Sequence, residues 1–422
     1  MQYKKVVLPN GLRVIYVPVK GNPSVTVMAL VETGSNYEKK EENGLSHFLE
    51  HMVFKGTKKR PSSMHISKEL DGLGAESNAF TSNEMTAYWA KGEKKHFKKL
   101  LEIISDLYLN PTLPTPDLEK ERGVILQEIS MYEDLPQRKV WEVFSALLYG
   151  DTPHGRTILG PVENIKKFSR EEFERYRSKH YVAKKTIIIV SGDIPLSGVL
   201  KEVKTNFVSI SNGVKVSKEK VKESQKVPQI SIFQKKTDQT HLVLGFRTFG
   251  AKDKRVATLQ VLSAILGKGM SSRLFQKLRD EMGVCYYVRA GSEELTDHGS
   301  FVISSGVDRS RVEEVVKVLI EELGKVKNTL VSETELKKAK DYLTGNLFLH
   351  LETTDALAEF YLGQEVARGK MDTPKEIEKE IKKVKAKDIQ KLAREIFKKE
   401  KMNLAIVGEV KDASRLEKLL VI

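Results

Sequence analysis

Val190-Ser191-Gly192-Asp193-Ile194 recurs in type as Ile406-Val407-Gly408-Glu409-Val410, 216 residues further on. Upstream of each copy the correspondence continues without gaps. Ile165-Lys166-Lys167-Phe168 falls on Ile381-Lys382-Lys383-Val384, Phe173 on Ile389, and Tyr181 on Phe397. A helix, a buried strand and then Gly-acid-Ile/Val are thus written twice, each time near the end of a half, and the chain reads as an internal duplication. Within each half, runs of strand-like sequence alternate with runs of helical periodicity instead of a strict βαβα order. The expected fold class is therefore α+β: two homologous domains, each a mixed β-sheet covered by helices. The joint lies in the Lys-, Ser- and Gly-rich stretch 211–228, which separates an expected domain 1–210 from an expected domain 229–422.

The bulk properties agree with two domains. A chain of 422 residues, 40% hydrophobic, has enough apolar surface for a large core. It starts directly in strand-like sequence, with no apolar h-region and no long apolar run, so a cytoplasmic protein that does not engage a membrane is expected. Cys285 is the single cysteine, which rules out an internal disulfide and any multi-cysteine metal site. The formal net charge of +14 raises nucleic-acid binding. Most of the excess, however, is lysine interleaved with acids on helical stretches such as Glu376 to Lys383, the pattern of a solvated helix face. There is neither an aromatic-rich RNA-binding strand pair nor a Gly-rich phosphate loop, so no nucleic-acid partner is expected.

Chemistry concentrates in the first half, in Asn43-Gly44-Leu45-Ser46-His47-Phe48-Leu49-Glu50-His51-Met52-Val53-Phe54. On a helix His47 and His51 project from one face, one turn apart, with Glu50 beside them. Two neutral imidazoles at ~2.0 Å suit zinc, and a water activated by zinc needs a nearby base. The order H-x-x-E-H is that of the inverzincins. A tetrahedral catalytic zinc takes a third protein ligand. A long helix starting near Thr115-Pro116 offers Glu121 and Glu128, seven residues apart and so on one face; spacing does not choose between them. At the duplication offset of 216, His47, Glu50 and His51 fall on Ser263, Leu266 and Gly267, so the second half is expected to lack a metal site.

His47-Phe48-Leu49-Glu50-His51 followed by Glu128 resembles the signature of the pitrilysin/insulinase metallopeptidases, most closely the bacterial two-domain relatives of mitochondrial processing peptidase. The resemblance spans nearly the whole chain. It includes Leu8-Pro9-Asn10-Gly11-Leu12, Gly34-Ser35 with Glu38, and Asn78-Ala79-Phe80-Thr81 with Glu84 and Thr86. It continues through Glu121-Arg122-Gly123-Val124-Ile125, Pro153-His154-Gly155, Ser271-Ser272-Arg273-Leu274-Phe275, and Leu278-Arg279 with Tyr286.

The resemblance implies one zinc per chain on His47, His51 and Glu128, with a metal-bound water as nucleophile and Glu50 as general base. Glu121 is implied to support the site from outside the ligand set. Arg279 and Tyr286, from the second half, are implied to meet the substrate carbonyl and stabilise the oxyanion. Tyr287 adjoins Tyr286 and would face the other side of a strand. The stretch Ala75, Glu76, Ser77, Asn78, Ala79, Phe80 sits where the family places an edge strand to which peptides add by main-chain hydrogen bonds. The implied activity is a zinc metalloendopeptidase of unfolded or short polypeptides. Pairing with an identical or related two-domain chain is expected, so that four domains enclose the substrate. The glycine-rich loop of the non-catalytic mitochondrial subunit is reduced to Gly267-Lys268-Gly269-Met270, which speaks against presequence cleavage. The rival reading is an inactive scaffold or peptide-binding subunit; the complete set His47, Glu50, His51 and Glu128 argues against it.

Overall fold

The computed structural model describes residues 2–422; Met1, the start of the expected first domain, lies outside them. Two mixed sheets organise the chain. The first contains β1 (Lys4–Val7), β2 (Arg13–Pro18), β3 (Ser24–Val31), β4 (Glu76–Thr81), β5 (Thr86–Glu93) and β6 (Thr186–Gly192), in the order β1-β2-β6-β3-β5-β4. The second contains β7 (Gln229–Gln234), β8 (Gln239–Thr248), β9 (Cys285–Glu294), β10 (Gly299–Asp308) and β11 (Met402–Gly408), in the order β7-β11-β8-β10-β9.

The duplication holds element by element. β2 and β7, and β6 and β11, begin 216 residues apart, as do the helices Arg170–His180 and Ala386–Ile396. In both sheets the strand pair that closes the repeat is parallel, β2 with β6 and β7 with β11, and the other pairings are antiparallel. β1 has no counterpart, because residues 220–223 form no strand. The expected joint 211–228 is irregular throughout, consistent with its poverty in apolar residues.

The central strands are buried on both faces: every residue of β6 and β11 is buried, and so is all of β3 after Ser24. Strands of this kind need helices on both sides. Helices of the same half cover one face. The helix Pro136–Tyr149, from the first half of the sequence, covers the other face of the second sheet, where Val140, Phe144 and Leu148 pack on Val243, Ala405 and Val407. Its duplicate, Thr354–Arg368, packs on β3 and β6 of the first sheet through buried Leu357, Ala358, Tyr361 and Leu362. There Thr354 and Thr26 share a hydroxyl hydrogen bond of 2.8 Å, and Glu365 pairs with Lys5 at 2.5 Å and Arg13 at 3.2 Å.

The two compact units are therefore discontinuous in sequence. Among the described residues, one comprises 2–129, 156–219 and 350–373; the other comprises 130–155, 220–349 and 374–422. The contiguous division 1–210, 211–228 and 229–422 describes the halves of the duplication, while the packing units exchange one equivalent segment each. Helical periodicity marks an apolar stripe, but it does not say which sheet that stripe will meet.

Candidate metal centre

His47 and His51 lie on the helix Leu45–Val53. Its N-cap is Gly44, at φ +104°, and a Cβ there would meet the Leu159 carbonyl oxygen at 2.8 Å, so glycine is required on both counts. A glycine cap has no side chain to satisfy the first amides of the helix. The buried Glu38 does so from outside, accepting from Gly44 N at 2.9 Å, Ser46 N at 2.6 Å and Asn43 Nδ2 at 3.1 Å. Ser46 Oγ is hydrogen-bonded in turn to Tyr176 at 2.7 Å, and the Phe48 and Phe173 rings meet edge to face. The histidine helix is thus held along its buried side.

The helix Thr115–Asp134 brings Glu128 to the same place. Its Oε2 lies 3.6 Å from His47 Nε2 and 3.7 Å from His51 Nε2, and one ligand atom from each of the three residues falls within a 4.8 Å group. Ligands at ~2.0–2.1 Å around a tetrahedral zinc stand about 3.3–3.4 Å apart, so this donor set fits the ion with small adjustments. Two imidazoles and one carboxylate also have the chemical character zinc accepts in a catalytic site. Among the described residues this is the one such grouping of three.

The surroundings sort the remaining groups. Burial, with the charge of His51, pulls the His47 imidazole down to about 3, which favours the neutral form that a metal ligand needs. For His51 burial pulls the same way, but the hydrogen bond and charge of Glu121, with Glu50 and Glu128, outweigh it and raise its pKa. Glu121 Oε1 accepts from His51 Nδ1 at 2.9 Å, an arrangement that orients the ring and leaves Nε2 toward Glu128. The other oxygen of Glu121 is paired with Lys55 at 2.5 Å. Burial opposes charge on Glu121, yet these two contacts hold its pKa below the ordinary carboxylate value. Glu121 therefore stands behind His51, outside the three-atom grouping.

Glu50 accepts from Thr81 Oγ1 at 2.6 Å. Burial, helped by the charge of Glu128, raises its pKa above the usual carboxylate range against the opposing pull of Thr81 and His51.

β4 is an edge strand of its sheet, at the end opposite β1, and pairs with β5 alone. Glu76, Ser77 and Asn78 are exposed on it, and Ala79 and Phe80 are half-buried. Ala75 precedes the strand and donates its N–H to Leu70 O at 3.1 Å, closing the preceding helix. In the other unit, Arg279 and Tyr286 lie together: the guanidinium is 5.4 Å from the ring centroid, Nη1 donates to Cys285 O at 3.1 Å, and Tyr286 is 73% exposed. Tyr287 faces the opposite way, its hydroxyl 3.0 Å from His241 Nδ1.

Among the described residues, the duplicated half shows no comparable grouping of three. The counterpart of His51, Gly267, lies so close to β9 that even a Cβ would meet Ala290 N at 2.2 Å. The counterpart of His47, Ser263, bonds back to Leu259 O at 2.9 Å within its own helix.

Three contributors to the site carry no role in the sequence reading: Glu38, Lys55 and Thr81. Lys55 follows His51 by one helical turn, which is a usable signal. Glu38 and Thr81 belong to stretches that carry the family resemblance, but nothing in their spacing assigns them a partner.

Residues 13–162 match the profile described as insulinase (peptidase family M16), and residues 167–343 match the profile described as peptidase M16 inactive domain. A Bacillus subtilis (strain 168) protein named "Uncharacterized zinc protease YmxG" is 33% identical over 93% of this chain and 95% of its own length. The chain belongs to the insulinase family, peptidase family M16. A second member, "Uncharacterized zinc protease SCO5738" of Streptomyces coelicolor, is 31% identical over 98% of this chain and 91% of its own length. Among solved structures, a Helicobacter pylori protease superposes with a TM-score of 0.88 at 24% identity, covering 96% of this chain and 99% of that one. A Pseudomonas fluorescens structure titled as a peptidase M16 inactive domain superposes with a TM-score of 0.90 at 17% identity, covering 97% of this chain and 99% of that one. At these identities the two structures bear on the M16 fold alone. The inactive-domain profile lies mostly on the half in which Ser263 and Gly267 replace the histidines.

Proposed function

We propose that this M16 chain is a zinc-dependent endopeptidase of unfolded or short polypeptides. The observation that carries the reading is the convergence of His47 Nε2, His51 Nε2 and a Glu128 oxygen, with the Glu50 carboxylate on the same helix. Zinc bound there would polarise the scissile carbonyl and make a neighbouring water acidic enough to attack near neutral pH. Glu50 takes that water's proton and later delivers it to the leaving amine. Its raised pKa suits a group that must both accept and return a proton. Glu121 keeps His51 in the tautomer that presents Nε2. β4 offers an extended peptide a free edge, and main-chain hydrogen bonds along it select no side-chain sequence. Arg279 and Tyr286 are the groups proposed to meet the substrate carbonyl as its oxygen gains charge.

The test joins metal analysis to hydrolysis of a fluorogenic peptide. The purified protein is expected to carry about one zinc per chain and to cleave the peptide. Zinc-loaded protein that cleaves no peptide would refute the proposal. Glu128→Gln should weaken zinc retention by about 10-fold or more in chelator competition; unchanged retention would move the third-ligand role to Glu121.

The paired tyrosines separate catalysis from packing. Tyr286→Phe is expected to lower kcat by about 10-fold or more with no change in thermal stability, since its exposed hydroxyl supports no fold contact. Tyr287→Phe, losing the bond to His241, should instead cost about 1 kcal/mol of stability and keep the activity. The reverse pattern in melting and kinetic assays would exchange the two roles.

A further inference from the structure

We infer that Thr81 is a positioning residue for Glu50, through which the general base is tied to the strand that receives the peptide. The inference rests on the peptidase reading. Thr81 is the last residue of β4 and stands opposite Thr86 in the ladder to β5. Its hydroxyl has one proton to donate. Two acceptors are in reach, Glu50 Oε2 at 2.6 Å and Ser46 O at 3.5 Å. The carboxylate takes it, because the shorter bond to a charged oxygen is much the stronger. Thr86 does not compete, since its own hydroxyl is turned to Thr33 O at 3.0 Å.

Among the described residues no other hydrogen bond reaches the Glu50 carboxylate. The terminal torsion of a glutamate is broad and roughly two-fold, so the carboxylate plane needs an external partner to fix it. Threonine can be that partner, because its β-branched side chain is stiff at χ1 and its backbone is restrained by the ladder. With one acceptor site of Oε2 engaged by Thr81, Oε1 is the more basic oxygen and the one better placed to take up a proton. The consequence concerns substrate as well as base. Backbone groups of β4 would hold the peptide, and a side chain of β4 holds the base, so one short segment sets both positions. A peptide docked on that edge meets a carboxylate whose orientation is referred to the same strand.

Thr81→Val keeps the shape and removes the hydroxyl, while Thr81→Ser keeps the hydroxyl. The experiment measures kcat and KM on one fluorogenic peptide, and zinc per chain, for wild type and both variants. Thr81→Val is expected to lower kcat by about 10- to 100-fold, with KM within about two-fold and zinc retained. Thr81→Ser should stay within about three-fold of wild type, the difference reflecting its looser χ1. A Val variant with wild-type kcat, a loss confined to KM, a loss of zinc, or a Ser variant as impaired as the Val variant would each overturn the inference and leave the peptidase reading standing. Wild-type protein that cleaves no peptide would remove that reading, and this inference with it.

Discussion

Glu50→Gln is expected to leave about one zinc per chain in place and to lower peptide hydrolysis by about 10²- to 10⁴-fold, the usual contribution of a positioned acid–base group. The expectation follows from where Glu50 stands. It is on the histidine helix, but its carboxylate is not in the grouping of His47, His51 and Glu128, so losing its charge should spare the donor set. Glutamine has the same length and an amide oxygen that still accepts from Thr81, so the helix and β4 keep their contact. What it lacks is the capacity to take up and return a proton. Hydrolysis at the wild-type rate would place the base elsewhere, and loss of zinc would make Glu50 a ligand. Either result is read directly from a metal assay and a peptide assay on the same preparation.

Residues 1–219 expressed alone are expected to be largely unfolded or aggregated, and co-expression with residues 220–422 is expected to restore soluble, folded protein. The contiguous two-domain picture predicts the opposite, a self-sufficient first half. The reason lies in the exchanged helices. Without Thr354–Arg368, the face of β3 and β6 that packs on Leu357, Ala358, Tyr361 and Leu362 is left bare. At about 1.5–3 kcal/mol for each large apolar side chain buried, that loss is comparable to the ~5–15 kcal/mol total stability of a domain. Glu365, which pairs with Arg13 and Lys5, would be missing as well. Circular dichroism and size-exclusion chromatography of the fragment decide the matter. A monomeric fragment with a cooperative melt would mean that the exchanged helix is dispensable.

Much of this arrangement is legible in the residues. The repeat at 216 residues gives two homologous sheets, because the packing requirements of a buried strand and its helix are written locally, in β-branched runs and apolar stripes. The histidine pair is equally local: four residues on a helix fix two imidazoles on one face whatever surrounds them. The replacement of both histidines in the second half can be read by the same offset, and at the position of His51 the structure supplies a steric reason in Gly267 and Ala290. Other features are not local. Glu121 and Glu128 share a helix face, and only the approach of two helices distinguishes the carboxylate beside Nε2 of both histidines from the one beside His51 Nδ1. Glu38 caps a helix that begins several residues after it, and Thr81 reaches Glu50 across more than thirty positions.

By itself the sequence determined the duplicated α+β plan, the helix bearing His47, Glu50 and His51, and the replacement of both histidines by Ser263 and Gly267 in the second half. These depend on periodicity and spacing, which a chain carries wherever it folds. Tertiary structure alone brought a Glu128 oxygen beside Nε2 of both histidines, paired Lys55 with Glu121 and Thr81 with Glu50, and covered each sheet with a helix from the other half of the sequence. Those outcomes depend on distances between segments far apart in the chain, and such distances exist only once each sheet has closed over its core.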